Sequence, residues 1–226
     1  MKKNKKFKIT LFTGGSGSSE LIYAIKNLSS DIELNLIING YDDGKSTGYL
    51  RNIVPGMLGP SDFRKNCSHL LNKSNLKYFL EYRIKNLNEF KKINKIFKNK
   101  KIKKDFFSEK LNQLDWKSYN AFQKLFNIFE QYIKNKKIKN FKDISFGNIL
   151  FASIFLECKK NFNLALKKYL SLFNLKNNIH NINNGENLFL CAISEDGNIL
   201  RDEWSIVTNK KEYKIYDFFL LKKKIR

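Results

Sequence analysis

Phe7-Lys-Ile-Thr-Leu-Phe-Thr-Gly-Gly-Ser-Gly-Ser-Ser19 is the stretch on which the fold turns. Phe7–Phe12 is an apolar run of strand length, and Gly14 and Gly15 end it. Leu21, Ile22, Ala24, Ile25 and Leu28 then recur at helical spacing, with Ser18 or Ser19 as the N-cap. A second apolar run follows from Ile32 to Asn39. Strand, glycine-rich turn, helix and strand in this order make a βαβ unit. Its consequence is a parallel sheet with a right-handed crossover. The turn itself has two readings. Gly14, Gly15, Ser16, Gly17 and Ser18 can present backbone N–H groups and hydroxyls to a phosphate at the helix N-terminus. They can equally form a tight turn that lets the helix pack closely. The segment is neither Gly-x-Gly-x-x-Gly nor a Walker loop.

Two further motifs lie downstream. Gly40-Tyr-Asp-Asp-Gly-Lys-Ser-Thr-Gly-Tyr-Leu-Arg51 sits at the end of the second strand, the edge at which open α/β sheets bind ligands. Asp42 and Asp43 are adjacent, so on extended backbone their side chains diverge. One faces the ligand, or a magnesium ion on its phosphates, while the other caps the loop. Ser46 and Thr47 add phosphate donors, and Lys45 and Arg51 balance charge. In Gly59-Pro-Ser-Asp-Phe-Arg-Lys-Asn66, Pro60 sets the entry to a helix and Ser61 or Asp62 is its N-cap. Capping leaves Arg64 and Asn66 unexplained. A cation in a helix's first turn opposes the dipole, which points to Arg64 serving an anion.

Composition narrows the class. The 226 residues, 42% hydrophobic and 14% aromatic with 20 Phe, suffice for one packed core. No apolar stretch approaches the ~18 residues of a membrane span, and the lysine-rich start lacks an apolar signal core, so a cytoplasmic protein is expected. Cys67, Cys158 and Cys191 are odd in number and widely spaced, which excludes a disulfide framework. His69 and His180, the two histidines, make Cys67-Ser-His69 helix packing rather than a zinc site. The net charge of +22 draws attention to nucleic acid, but 38 of the 43 basic residues are Lys, spread along the chain beside 29 Asn. Specific recognition favours the planar fork of Arg, so the charge implies only non-specific, salt-sensitive nucleic-acid binding.

The remainder reads in two parts. Residues 62–175 are predominantly helical: Tyr119, Phe122, Phe126, Phe129 and Ile133 share one stripe, and Phe162, Leu166, Tyr169 and Phe173 another. Residues of about 75–140, including the lysine-rich Lys91–Lys104, form a helical insertion or lid rather than an independent domain. Strands return with a hairpin of Leu188–Ile193 and Ile199–Leu200 about the Glu195-Asp-Gly197 turn. Trp204–Thr208 and Tyr213–Leu221 are read as further short strands.

The series GGSGSS, NGYDDGKSTGYLR and PGMLGPSDFRKN resembles the CofD-like family, which groups 2-phospho-L-lactate transferases with YvcK-type gluconeogenesis factors. Phe146-Gly-Asn148 is similar to a downstream segment of that family, and Asn187–Val207 to its following hairpin. The resemblance implies a single α/β, Rossmann-like domain over 1–226 that binds a GDP- or UDP-linked small molecule. In the transferase branch a phospholactyl or phosphoenolpyruvyl group passes from a guanosine diphosphate donor to an acceptor, with Mg2+. In the other branch the protein is a regulator that binds a nucleotide sugar without turnover. Carried over residue by residue, Asp42 and Asp43 become the catalytic and metal-binding aspartates. Gly14, Gly15, Ser16, Gly17, Ser18, Ser46, Thr47, Ser61, Asp62, Arg64, Asn66 and Asn148 become the nucleotide contacts. The stretch Asp42–Arg51 is nearer the factor-like branch. The family also continues past the strand near Leu221 into a second half. The expectation is therefore a C-terminally truncated member, completed by a partner or acting as a homo-oligomer.

Overall fold

In the computed structural model, residues 7–29, 31–71, 75–99, 105–136, 138, 141, 143–175, 178–209 and 211–225 are described, the side chains of Lys45 and Asn99 apart. Lys100–Lys104 of the lysine-rich stretch lie outside the described residues.

The βαβ unit forms as its periodicity dictates. Strand β1 (Phe7–Thr13), helix α1 (Ser19–Leu28) and strand β2 (Ile32–Ile38) follow one another, and β1 pairs with β2 in parallel from Phe7↔Ile32 to Thr13↔Ile38. Of the apolar residues on α1, Ile22 and Ile25 are buried, whereas Leu21 and Leu28 are exposed. Ser18 is the N-cap position, but its side chain makes no capping bond. A third strand, β5 (Ile179–Asn181), pairs with β2 through Leu36↔Ile179, giving the parallel order β1-β2-β5.

The long crossover from β2 to β5 carries the helices. They are α2 (Lys45–Ile53), α3 (Ser61–Leu70), α4 (Asn75–Glu81), α5 (Leu87–Asn99), α6 (Phe106–Asn112), α7 (Trp116–Asn135), α8 (Phe146–Glu157) and α9 (Phe162–Leu172). Between them, β3 (Arg83–Ile84) and β4 (Ile144–Ser145) form a two-strand bridge. Helix α8 is apolar on every side and buried from Phe146 to Phe155, the signature of a helix surrounded by others. At its start the Phe146 ring meets Phe79, Phe122 and Phe126 at centroid distances of 5.3, 5.4 and 4.4 Å. Each such pair adds about 0.5–1.5 kcal/mol beyond burial. The phenylalanines thus knit α4, α7 and α8 into one core, with Phe162 and Tyr169 of α9 against Phe151.

A second, antiparallel sheet has the order β7-β6-β8: β6 (Phe189–Ser194), β7 (Ile199–Leu200) and β8 (Ile215–Leu221). The β6–β7 hairpin is as read from sequence. The expected strand at Trp204–Thr208 is instead part of helix α10 (Glu203–Thr208). Trp204, Ile206 and Val207 have strand-like character, but Asp202 and Ser205 form a reciprocal capping box that nucleates a helix. No helix among the described residues is long and apolar enough to cross a membrane.

Candidate active site

Two loops and helix α10 converge beyond the carboxyl end of β2. The first runs from Asn39 to Gly44. Asp42 Oδ1 accepts the Gly44 N–H at 2.9 Å, closing a local turn, and α2 begins immediately after it. Asp43 is spent on long-range partners, with its side chain 1% exposed. Its Oδ1 accepts the backbone N–H of Glu203 at 3.2 Å and its Oδ2 the Lys224 ammonium at 2.8 Å. Gly48 makes this turn possible, since a Cβ there would stand 2.0 Å from the Asp43 carbonyl oxygen. Arg51 is buried under the loop. It donates to the carbonyls of Tyr41, Asp42 and Leu188 and to Asn187 Oδ1, and stacks on the Phe189 ring at 4.3 Å. Its role is to fasten the aspartate loop to the second sheet.

The second loop leads into α3, whose N-cap is Pro60 rather than Ser61 or Asp62. Freed from capping, Ser61 Oγ lies 2.5 Å from Thr47 Oγ1 and accepts a hydrogen bond from Asn148 Nδ2 at 2.9 Å, tying α2, α3 and α8 together. Arg64 is buried and donates to Glu81 Oε2 at 2.6 Å and to the Leu80 carbonyl. Its Nε is buried without a hydrogen bond among the described residues. Asn66 holds the Gly14 carbonyl at 2.8 Å and His69 the Gly15 carbonyl at 3.1 Å, so the glycine-rich loop lies across α3. A Cβ at Gly15 would fall 2.0 Å from Asp62 Oδ1 and 2.7 Å from Lys65 Cδ, so a larger residue there would displace both side chains. Thr13 and Ser18 spend their hydroxyls on each other.

The third element is α10, which brings Glu203 to Asp42. Burial, then a hydrogen bond shared with Asp42, then the charges of Asp42 and Asp62 push the Glu203 carboxyl up to about 8. Asp62 is raised too, by burial first and the Asp42 charge second. Asp42 and Glu203, with the cations Arg64, Lys65, Arg83 and Lys224, border a cavity of about 900 Å3. Motifs two and three contribute Asp42, Asp43, Ser46, Thr47, Ser61, Arg64 and Lys65 to its wall. Across from them stand Arg83, Asp143, Glu203, Trp204 and Lys224. Arg83 grips Asp143 through Nε at 3.0 Å and Nη2 at 2.6 Å, and also reaches Ser46 Oγ at 3.2 Å.

The sequence matches the profile of the family described as 2-phospho-L-lactate transferase CofD over residues 9–226. The chain belongs to the CofD family. Its fold is similar to a crystal structure of a UPF0052-family protein from Bacillus halodurans, with a TM-score of 0.63 at 20% identity. That superposition covers 98% of this chain and 54% of the other. A second crystal structure from Bacillus halodurans gives a TM-score of 0.61 at 20% identity, covering 96% and 51%. The chain therefore spans about half the length of these structures. No curated protein matches the chain in sequence.

In this CofD-family chain the cavity gathers only part of the residues singled out from sequence. Asp42, Asp43, Ser46, Thr47, Ser61 and Arg64 line it. Gly14, Gly15, Ser16, Gly17, Ser18, Asp62, Asn66 and Asn148 are not on its wall. Lys65 connects the two groups: it lines the cavity, and its stem reaches within 2.7 Å of where a Gly15 Cβ would stand. Asn148 is buried behind Ser61. For a magnesium ion the donor set is two carboxylates, Asp42 and Glu203, since Asp43 is committed to Lys224 and the Glu203 N–H. No three metal-type side chains converge among the described residues. A pair suits magnesium, which keeps waters and uses substrate phosphates to complete its shell.

Glu203, Arg83 and Lys224 were missed from sequence. The Asp202-x-x-Ser205 box was a usable signal for Glu203, because it places that residue in a helix's first turn. The scarcity of Arg, five residues among 43 basic ones, was a usable signal for Arg83. Nothing distinguishes Lys224 from its lysine neighbours.

Proposed function

We propose that the cavity binds the diphosphate of a nucleotide-linked substrate and supports transfer of a phosphate-linked group of the 2-phospho-L-lactate type. The observation that carries this reading is the facing pair Asp42 and Glu203, set among Arg64, Lys65, Arg83 and Lys224. Carboxylates alone repel a diphosphate. Here four cations, Arg64, Lys65, Arg83 and Lys224, surround them. Thr47 and Ser61 offer hydroxyls on the same wall. Asp42 and Glu203 are the residues suited to hold Mg2+, which when bound neutralises phosphate charge.

In the transfer, an acceptor hydroxyl oxygen bonds to the phosphorus of the donated group, and the bond from that phosphorus to the nucleotide's bridging oxygen breaks. Nucleoside monophosphate leaves with the electron pair. The Asp42 carboxylate orients the hydroxyl and takes its proton. Lys65 and Arg83 hold the phosphates in line. Asp43 acts through position: its ion pair with Lys224, buried on the aspartate side, fixes the loop that carries Asp42.

A second reading, a nucleotide-sugar sensor without turnover, is favoured by the stretch Asp42–Arg51, which resembles the factor-like branch of the family. Calorimetry against GDP- and UDP-linked ligands with Mg2+, followed by a product assay, separates the two. Binding with product supports the transferase and binding without product the sensor. No binding of either ligand class contradicts both.

A further inference from the structure

A second cavity, of about 360 Å3, opens where α4, α5 and α6 meet, and it shares no residue with the one at Asp42. Tyr78 of α4, Tyr82 just beyond it, and Phe106 and Phe107 of α6 stand on its wall. The rings are steeply inclined: Tyr78 to Phe106 at 84° with centroids 5.4 Å apart, and Tyr82 to Phe107 at 56° and 4.8 Å. The face of each ring is the negative end of its quadrupole and attracts cations. Phe106 already does so, since Lys110 Nζ, off the cavity wall, stands 5.4 Å from its centroid.

Glu89 of α5 and Asp105, the N-cap of α6, add two carboxylates to the wall, against one ammonium, Lys92. The local balance is negative on a chain with 43 basic and 21 acidic residues. Burial first, then the charges of Asp105 and Glu89, hold the Tyr78 phenol above its usual pKa, so both carboxylates act on that ring. Every carboxylate oxygen already accepts a hydrogen bond. Glu89 takes the Tyr82 hydroxyl at 2.6 Å and the Lys85 backbone N–H at 2.7 Å. Asp105 takes the Ser108 N–H at 2.9 Å and the Lys92 ammonium at 3.2 Å. The wall thus offers charge and ring faces rather than open acceptors. A metal ion or a primary ammonium would lose hydration that such a wall does not replace. A cation without N–H donors loses little.

We propose that this cavity binds a small quaternary ammonium ion, with its methyl groups against the rings of Tyr78, Tyr82 and Phe106 and its charge toward Glu89 and Asp105. Lys92 competes with the ligand for Asp105, and their ion pair, more than half exposed on the lysine side, resists displacement weakly. The site is independent of whatever the Asp42 cavity binds.

The test is NMR titration of the full chain with choline at fixed ionic strength, beside its uncharged isostere 3,3-dimethylbutan-1-ol. Saturable choline binding, about tenfold or more tighter than the isostere, is expected. Tyr78→Leu and Phe106→Leu should each weaken choline by about fivefold or more. Lys92→Met, at an exposed position, should tighten choline by about twofold or more without a matching gain for the isostere. Circular dichroism checks that the variants fold. No saturable binding, equal affinity for the two compounds, wild-type affinity in both ring variants, or no gain in Lys92→Met would overturn the proposal.

Discussion

Asp42 and Asp43 are neighbours in sequence with opposite situations. Asp42 is half-buried at the cavity, while Asp43 is 1% exposed and paired with Lys224 at 2.8 Å. Asp43→Asn takes from Lys224 its nearer carboxylate, leaving Asp202 at 3.6 Å, and weakens a buried acceptor, a loss of about 1–3 kcal/mol that urea denaturation should measure. On sequence, one of the two faces the ligand and the other caps the loop. In the structure Asp42 both closes the turn at Gly44 and lines the cavity, while Asp43 turns to distant partners. The choice is made by contacts 160 and 181 residues away, at Glu203 and Lys224. Glu203 gives a pH signature. Its carboxyl rises from an ordinary 4.5 to about 8, so between those values the folded chain binds a proton that the unfolded chain does not. Stability in metal-free buffer therefore falls as pH rises through that window, and Asp62, also raised, adds in the same direction. Thermal melts across the window should show this slope reduced in Glu203→Gln; an unchanged slope would assign it elsewhere.

Among the elements, the βαβ unit was readable because strand and helix periods alternate cleanly from Phe7 to Asn39. Helix α10 was not, because Trp204, Ile206 and Val207 favour a strand and only the capping box opposes them. That box is now testable. Asp202→Ala removes the bond to the Ser205 N–H and the 3.6 Å contact with Lys224, and should cost about 1 kcal/mol in denaturant titration. Because α10 carries Glu203, ligand affinity should fall as well. Helix α3 teaches the converse. Ser61 and Asp62 look like caps, yet Pro60 takes that position and Ser61 is spent on Thr47 and Asn148. Local rules identified the residues here, but long-range partners set their work.

For the whole molecule, the α/β class and the parallel sheet were legible, whereas the cavity was not. Residues 42–65 supply one wall, and the other comes from Arg83, Asp143, Glu203, Trp204 and Lys224. No spacing rule links them. The glycine-rich loop, prominent in sequence, packs against α3 away from that wall. The net charge of +22 acts at this scale too. Duplex DNA binding, measured by fluorescence anisotropy, should fall by about 10³-fold or more between roughly 50 and 200 mM salt. Asp42→Asn should leave it unchanged, since lysines spread over the surface rather than the cavity carry it.

The most direct test of the cavity is calorimetric titration of a GDP- or UDP-linked ligand, with Mg2+, into the wild type, Asp42→Asn and Glu203→Gln. Binding by the wild type and a loss of about tenfold or more in each variant, equivalent to about 1.4 kcal/mol, is the predicted result. Equal affinity in all three proteins would contradict the placement of the ligand between Asp42 and Glu203.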